Sequence, residues 1–235
     1  MRLNLRIAAT LLCFFAVTPA FAALVITEVA STSNAPAGTS LESRDWWELT
    51  NTGNAGVLLD GYAWEDNPVA NDRAIFPNGI TIGAGESIII HQIFTGPDTP
   101  VSADFRSAWG LPNSVQILEQ SQFTGSNPFS GLSGTSGDGV NLYNPSNVLV
   151  ASVTFPPATL AGNNVSTFEW GRNSASLGLS VAGENGAYQI TYPLNNPTSL
   201  KATGSPGTSV VPEPGTAALG GLGLCLLACG SRRKR

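Results

Sequence analysis

Reactive side chains are scarce in the middle of this 235-residue chain. All three cysteines lie in apolar segments near the ends, at Cys13, Cys225 and Cys229, so the middle has no thiols for a disulfide or a thiolate metal site. His91 is the single histidine, and we expect a surface or hydrogen-bonded strand residue there. The sequence also has no phosphate-binding loop, nucleophile elbow, zinc-protease motif or dinucleotide fingerprint. These absences predict that the protein is not an enzyme.

Basic residues are equally few away from the ends. Between Ala23 and Val211, five Lys and Arg residues stand against fifteen Asp and Glu residues, a balance of −10. A surface of that sign repels phosphate backbones, so we exclude nucleic acid as a partner.

Helical periodicity is also missing from the middle, while Gly (26) and Pro (16) are frequent in the chain. Residues 45–66, which hold three of the five Trp residues, show a strand pattern instead of a helical one. Trp47 and Leu49 alternate with more polar neighbours, and the turn formers at 51–56 then reverse the chain. Short strands joined by turns predict an antiparallel β-sandwich.

Other short apolar runs predict further strands at 24–29, 87–93, 115–118, 139–143 and 148–155, with weaker candidates at 165–170 and 188–192. In the strand at 148–155, the buried face would be shared by Leu149, Ala151, Val153 and Phe155. The composition of the connections predicts an irregular segment at 95–113, an exposed loop at 120–138 and an exit linker at 195–209.

Trp46 and Trp47 are neighbours in one predicted strand, so their side chains point to opposite faces. One of them belongs to the core. The other is either exposed, where it could stack on a sugar or a partner, or covered by a loop or by the second half of the chain.

A calcium loop could be built from the oxygen ligands of one segment, namely Glu65, Asp66, Asn67, Asn71 and Asp72. These residues lack the alternating spacing of an EF-hand loop, and Asn and Asp are also ordinary turn residues. Asp138, between two glycines, is a turn residue first and a ligand second. No spacing singles out a carboxylate pair for glycoside hydrolysis. We therefore predict no cofactor, with calcium as the remaining alternative.

The first 22 residues have the three parts of a secretion signal. Arg2 and Arg6 form the charged start, residues 7–17 the apolar centre, and Ala20 and Ala22 the small residues of the cleavage site. This pattern predicts a signal helix that directs export.

The C-terminal end combines three features in order. Pro212, Glu213 and Pro214 precede an apolar segment from Gly215 to Gly230, and the chain closes on four basic residues, Arg232, Arg233, Lys234 and Arg235. Sixteen helical residues would reach about 24 Å, slightly less than the ~30 Å hydrocarbon core. We therefore predict a marginal transmembrane helix held by the terminal cations.

This arrangement resembles a PEP-CTERM sorting signal. The resemblance implies an exported protein of a Gram-negative-type bacterium, often one that makes exopolysaccharide. It also implies that an exosortase in the membrane recognises the Pro-Glu-Pro motif and removes or exchanges the tail.

A second set of motifs is spread along the middle: ITEV at 26–29, WELTN at 47–51, LLDGY at 58–62, FP at 76–77, AG at 84–85, WG at 109–110, GDGVNL at 137–142 and SPG at 205–207. Their order is similar to that of the lamin-tail domain. The resemblance implies an immunoglobulin-like antiparallel β-sandwich from residue 24 to about residue 207. The loops at 113–137 and 156–194 are longer than a minimal domain of this kind needs.

The sequence thus predicts a signal peptide at 1–22, an all-β sandwich domain at 23–207 and a sorting signal at 208–235, with a helix at each end. The predicted function is that of an exosortase-sorted cell-surface or extracellular-matrix protein whose sandwich is a non-catalytic structural or adhesive module. The alternative is a surface hydrolase that acts on an extracellular polymer through a carboxylate or calcium site. The expected partners are the exosortase, the membrane before processing, and exopolysaccharide or other surface proteins.

Overall fold

Strands dominate the part of the chain that the structure, a computed structural model, describes: residues 23–31, 45–66, 73–92, 101–126, 129, 131–157, 164–171, 174–191 and 201–208. In chain order the strands are β1 (Leu24–Ala30), β2 (Trp46–Asn51), β3 (Val57–Leu58), β4 (Ala63–Glu65), β5 (Ala74–Ile75), β6 (Thr81–Ile82), β7 (Ser87–His91), β8 (Gln116–Glu119), β9 (Asp138–Tyr143), β10 (Leu149–Phe155), β11 (Asn164–Ser166), β12 (Phe168–Trp170), β13 (Ser176–Leu179), β14 (Tyr188–Thr191) and β15 (Lys201–Gly204). The α-helix α1 (Val101–Trp109) lies between β7 and β8.

Two sheets form the sandwich. The larger sheet has the order β13-β12-β1-β2-β7-β8 and the smaller sheet the order β10-β9-β4-β5. All neighbours in these two sheets are antiparallel except β7 and β8. Their facing side chains make the main core, in which Trp47 and Trp64 lie with ring centroids 5.2 Å apart and are almost fully buried. The predicted all-β, immunoglobulin-like sandwich is confirmed.

The larger sheet is covered on its second face as well. A three-stranded sheet in the order β11-β15-β14 and helix α1 supply this cover. Trp46 and Ile89, which point away from the main core, pack there with Phe105 and Trp109 of α1. A sheet that is buried on both faces needs apolar residues at consecutive positions, which explains the Trp46-Trp47 pair and the Ile88-Ile89-Ile90 run. The second tryptophan is therefore covered, not exposed.

Helix α1 contradicts the prediction of an irregular segment at 95–113. Phe105 and Trp109 are four residues apart and therefore share one helix face, which is buried against Trp46. A helix of nine residues is marginal on its own, so tertiary packing and not local propensity stabilises it.

The segment at 120–138 is also different from the predicted exposed loop. It begins with a 3-10 turn, Gln120–Gln122, and places Phe123, Phe129 and Leu132 in the main core. Few apolar residues were needed to hold it, so its Ser- and Gly-rich composition masked the packing.

Two further expectations need correction. Within the predicted exit linker at 195–209, Lys201–Gly204 is the central strand of the three-stranded sheet, between β11 and β14. In β10, Ala151, Val153 and Phe155 share the buried face as predicted, but Leu149 is 49% exposed, because the register shifts between Leu149 and Ala151. The predicted terminal helices fall outside the described residues.

Candidate functional site: a row of buried carboxylates

Three glutamates lie side by side across the larger sheet. Glu28 of β1 stands directly opposite Glu48 of β2 on one side and Glu169 of β12 on the other. All three are buried, with exposed fractions of 1%, 1% and 6%. We call these residues the carboxylate row.

Strand alternation places the row on the sheet's second face, away from the main core. Trp47 and Leu49 point into the main core, so Glu48 between them points out, and the same holds for Glu169 between Phe168 and Trp170. In β1 a bulge at Thr27 shifts the register between Ile26 and Glu28. The bulge brings Glu28 into line with the other two glutamates.

The last residues that the structure describes, 205–208, cover this row. Residues 205–208 form a β-turn in which the Thr208 N–H donates to the Ser205 carbonyl at 3.0 Å, with Pro206 second and Gly207 (φ 75°) third. Proline followed by a residue of positive φ is the pattern of a type II turn. The Ser205 N–H donates to Glu28 Oε1 at 2.8 Å, and the Gly207 N–H donates to Glu48 Oε2 at 2.5 Å. We call residues 205–208 the Pro-Gly turn.

Hydroxyl and amide side chains supply the other donors. Thr27 Oγ1 donates to Glu48 Oε1 at 2.6 Å, and Thr167 Oγ1 donates to Glu28 Oε1. Asn185 Nδ2 donates to Glu169 Oε2 at 3.1 Å, and the Ser205 hydroxyl lies 3.2 Å from Glu28 Oε2. Each carboxylate of the row is therefore held by donors from other parts of the fold.

The row is electrostatically unfavourable in its charged form. Burial raises the pKa of Glu28 well above its ordinary value, and the neighbouring charges of Glu48 and Glu169 raise it further. Burial also raises the pKa of Glu48, while hydrogen bonds from Thr27 and Gly207 lower it in part. Burial, with a smaller contribution from Glu28, raises the pKa of the Tyr188 phenol on the covering sheet.

Buried acids with raised pKa values are found in active sites, but they also occur in structural networks. Here the Pro-Gly turn covers the row, and a cavity of about 230 Å³ is lined by Glu48, Glu169 and Ser205, among other residues. Within the described ranges, no group of three or more His, Cys, Asp or Glu side chains is arranged to hold a metal ion. The arrangement is suited to binding backbone N–H groups.

Glu65 of the predicted calcium loop has other partners. Tyr143 donates its hydroxyl hydrogen to Glu65 Oε1 at 2.5 Å, and Arg73 Nε lies 3.4 Å from Glu65 Oε2. The Arg73 guanidinium also stacks over the Tyr143 ring, 3.4 Å from its centroid. Asn67, Asn71 and Asp72 fall outside the described residues, so calcium binding by that loop stays a prediction.

The other two candidate residues from the sequence, Asp138 and His91, make contacts within the fold. Asp138 begins β9 and accepts hydrogen bonds from the N–H groups of Ser133 and Gly139, at 2.7 and 2.9 Å. His91 is fully buried beneath α1, with its ring 4.8 Å from that of Phe105, so it is not a surface residue.

The predicted sorting and cleavage residues at 20–22 and 212–235 are not among the described residues. In the part of the chain that is described, no helix is long and apolar enough to cross a membrane. The predicted C-terminal membrane helix therefore stays a prediction.

The two packed sheets define an all-β domain of immunoglobulin-like sandwich type. The family model for the Lamin Tail Domain matches residues 18–157, and the chain belongs to this family. A second family model, the PEP-CTERM protein-sorting motif, matches residues 210–235. No curated protein matches the chain. Both families are non-catalytic, and the PEP-CTERM motif implies export, sorting to the cell surface and processing by an exosortase.

Most of this site lies within the sequence motifs of the domain. Glu28 and Glu48 belong to the ITEV and WELTN motifs, and Ser205 and Gly207 to the SPG motif. The sequence gives the motifs in which these residues lie but not the contacts between them, because Glu28 and Ser205 are 177 residues apart. The available signal was that Glu48 and Glu169 are each flanked by apolar residues, since a charge on a covered face must have partners.

Proposed function

We propose that this protein is a cell-surface or extracellular-matrix component whose sandwich acts as a non-catalytic structural or adhesive module. The PEP-CTERM motif supports delivery to the surface. We further propose that residues 1–22 are removed as a signal peptide, that 23–207 form the module, and that a helix at 215–230 anchors the chain until the exosortase acts.

One observation carries the non-catalytic part of the proposal. The three buried glutamates of the carboxylate row are all hydrogen-bonded to the fold itself, and two of them accept backbone N–H groups of the Pro-Gly turn. A general acid or nucleophile must instead be within reach of a substrate atom. The row therefore supports a structural role for these acids.

The experiment compares turnover and binding on the same preparations. Purified full chain is incubated with a panel of extracellular polysaccharides and phosphoesters, beside the variants Glu48→Gln and Glu169→Gln. Glu184→Gln is the matched control, since Glu184 lies exposed in the turn before β14. We expect no turnover by any of them, and co-sedimentation of the chain with surface polymer from an exosortase-containing host.

The hydrolase alternative makes the opposite prediction. The cavity of about 230 Å³ beside Glu48 and Glu169 is the feature that favours it. Turnover that is lost in Glu48→Gln or Glu169→Gln, but kept in Glu184→Gln, would establish it and overturn the non-catalytic proposal.

A further inference from the structure

We propose that the carboxylate row is the receptor for the chain's own Pro-Gly turn, and that docking of this turn fixes the C-terminal end of the sandwich a short distance before the sorting signal. The docking stands on contacts within the domain. Only its consequence for sorting rests on the proposed function.

The chemistry of the turn requires such a receptor. A backbone N–H can only donate, and it needs an acceptor when it is covered by protein. The Ser205 and Gly207 N–H groups both point at the sheet and reach carboxylates on two neighbouring strands, β1 and β2. Two acceptors in register across a strand pair therefore match two donors of one turn.

The close approach of the backbone to the row depends on a glycine. A Cβ atom at Gly204 would lie 2.5 Å from Glu28 Oε1 and 3.0 Å from Thr167 Cγ2. Glu28 cannot simply swing aside, because Ser205 and Thr167 hold the same oxygen. A side chain at residue 204 would consequently lift the last strand and the turn from the sheet.

The row would be unfavourable without this partner. Like charges directly opposite one another on neighbouring strands destabilise a sheet, and the Glu169–Glu28–Glu48 row places three acidic side chains next to one another. Apolar residues would cover this face at lower cost. Binding the Pro-Gly turn accounts for the presence of carboxylates instead.

Docking sets the reach of the sorting signal. Pro212 follows Thr208 by four residues, and an extended chain spans at most ~3.6 Å per residue, so the motif stays within about 14 Å of the docked turn. If β15 and the turn detach, β14 loses the strand that it pairs with, and its last residue, Thr191, lies 21 residues before Pro212. Measured from Thr191, the reach is then about 76 Å at ~3.6 Å per residue. The exosortase would thus meet the motif close to a closed sandwich.

Amide hydrogen exchange on the unaltered full chain, with detergent present throughout, tests the docking directly. The Ser205 and Gly207 N–H groups are expected to exchange at least ~100-fold more slowly than the Ser146 N–H. Ser146 also donates to a side-chain oxygen, Asn144 Oδ1, but at an exposed site. Exchange of Ser205 and Gly207 as fast as that of Ser146 would overturn the proposal.

The variant Gly204→Ala tests the receptor, with Gly56→Ala as its control. A Cβ atom at Gly56 meets nothing closer than 3.6 Å. Trypsin cleavage after Lys201, read by mass spectrometry as fragments that begin at Ala202, is expected to be at least ~10-fold faster in Gly204→Ala. Equal rates in the two variants would refute the docking, and if Gly204→Ala does not fold, the exchange measurement decides. Neither readout depends on sorting, so a failed surface assay leaves this result unaffected.

Discussion

Replacing Glu28 by Gln is expected to stabilise the domain at neutral pH and to flatten the pH dependence of its stability. Burial and the charges of Glu48 and Glu169 raise the pKa of Glu28 above its ordinary value of 4.5. Between the unfolded and the folded pKa, the folded domain therefore binds more protons than the unfolded chain. The free energy of unfolding then falls as pH rises through this window, which is the opposite of a salt-bridged carboxylate.

Each unit by which the pKa of Glu28 is raised costs about 1.4 kcal/mol once pH exceeds both values. For a domain of this size that equals roughly 3–6 °C in Tm. Gln keeps an acceptor oxygen for the Ser205 and Thr167 donors but carries no charge. The gain in Tm of Glu28→Gln should therefore be near zero below about pH 4.5 and grow to several degrees by about pH 8.

The assay is thermal unfolding of both proteins across that pH range, and only their difference is interpreted. The titratable groups near Glu28 are Glu48 on β2, Glu169 on β12 and the Tyr188 phenol on β14. The Pro-Gly turn carries no charge, and Lys201 at the start of β15 is exposed. Glu184→Gln, at an exposed site, is the matched control. A Tm of Glu28→Gln that stays below the wild-type value by the same amount at every pH would refute the reasoning.

Two packing predictions follow from the same structure. Gly125→Ala places a Cβ atom 2.1 Å from the Arg73 carbonyl oxygen, so it should lower the free energy of unfolding by more than Gly79→Ala does. Gly79 also has a positive φ but lies in an open environment, so its replacement should cost about 1–2 kcal/mol. Equal losses of the two variants in denaturant titration would contradict the close approach at Gly125. Phe105→Ala removes a fully buried ring that packs against Trp46 and should lower the free energy of unfolding by about 3–5 kcal/mol. Leu177→Ala, at a half-exposed site, should change it by less than about 0.5 kcal/mol. A small loss for Phe105→Ala would show that α1 does not contribute to the packing on the second face of the larger sheet.

The sandwich was predictable because the strands and the turns between them have recognisable residue patterns. Trp47 and Leu49 alternate with their neighbours, and the turn formers between the strands stand at the observed reversals. The covering layer was not predictable in the same way. The strand at Lys201–Gly204 has one apolar residue, Ala202, and its structure comes from pairing with β11 and β14. Long-range pairing leaves no trace in local composition.

The candidate site was likewise predictable only in part. Glu28 and Glu48 lie in recognisable sequence motifs, and their strands were predicted correctly. Glu169 lies in the weaker strand candidate at 165–170 but in none of the motifs, and its place beside Glu28 depends on the pairing of β1 with β12. The carboxylate row is thus assembled by topology, while each of its members looks like an ordinary strand residue in the sequence.

That topology predicts that the family-matched part of the chain is not a complete folding unit. A fragment ending at residue 157 keeps both strands with Glu28 and Glu48 but loses β12, which pairs with β1, and the Pro-Gly turn. It also loses Phe168 and Trp170 from the main core. Buried aromatics contribute about 3–5 kcal/mol each when truncated, against a total stability of about 5–15 kcal/mol for a domain. Residues 23–157 should therefore show no cooperative thermal transition, whereas 23–208 should. Cooperative unfolding of the shorter fragment at a similar Tm would mean that the C-terminal layer is dispensable.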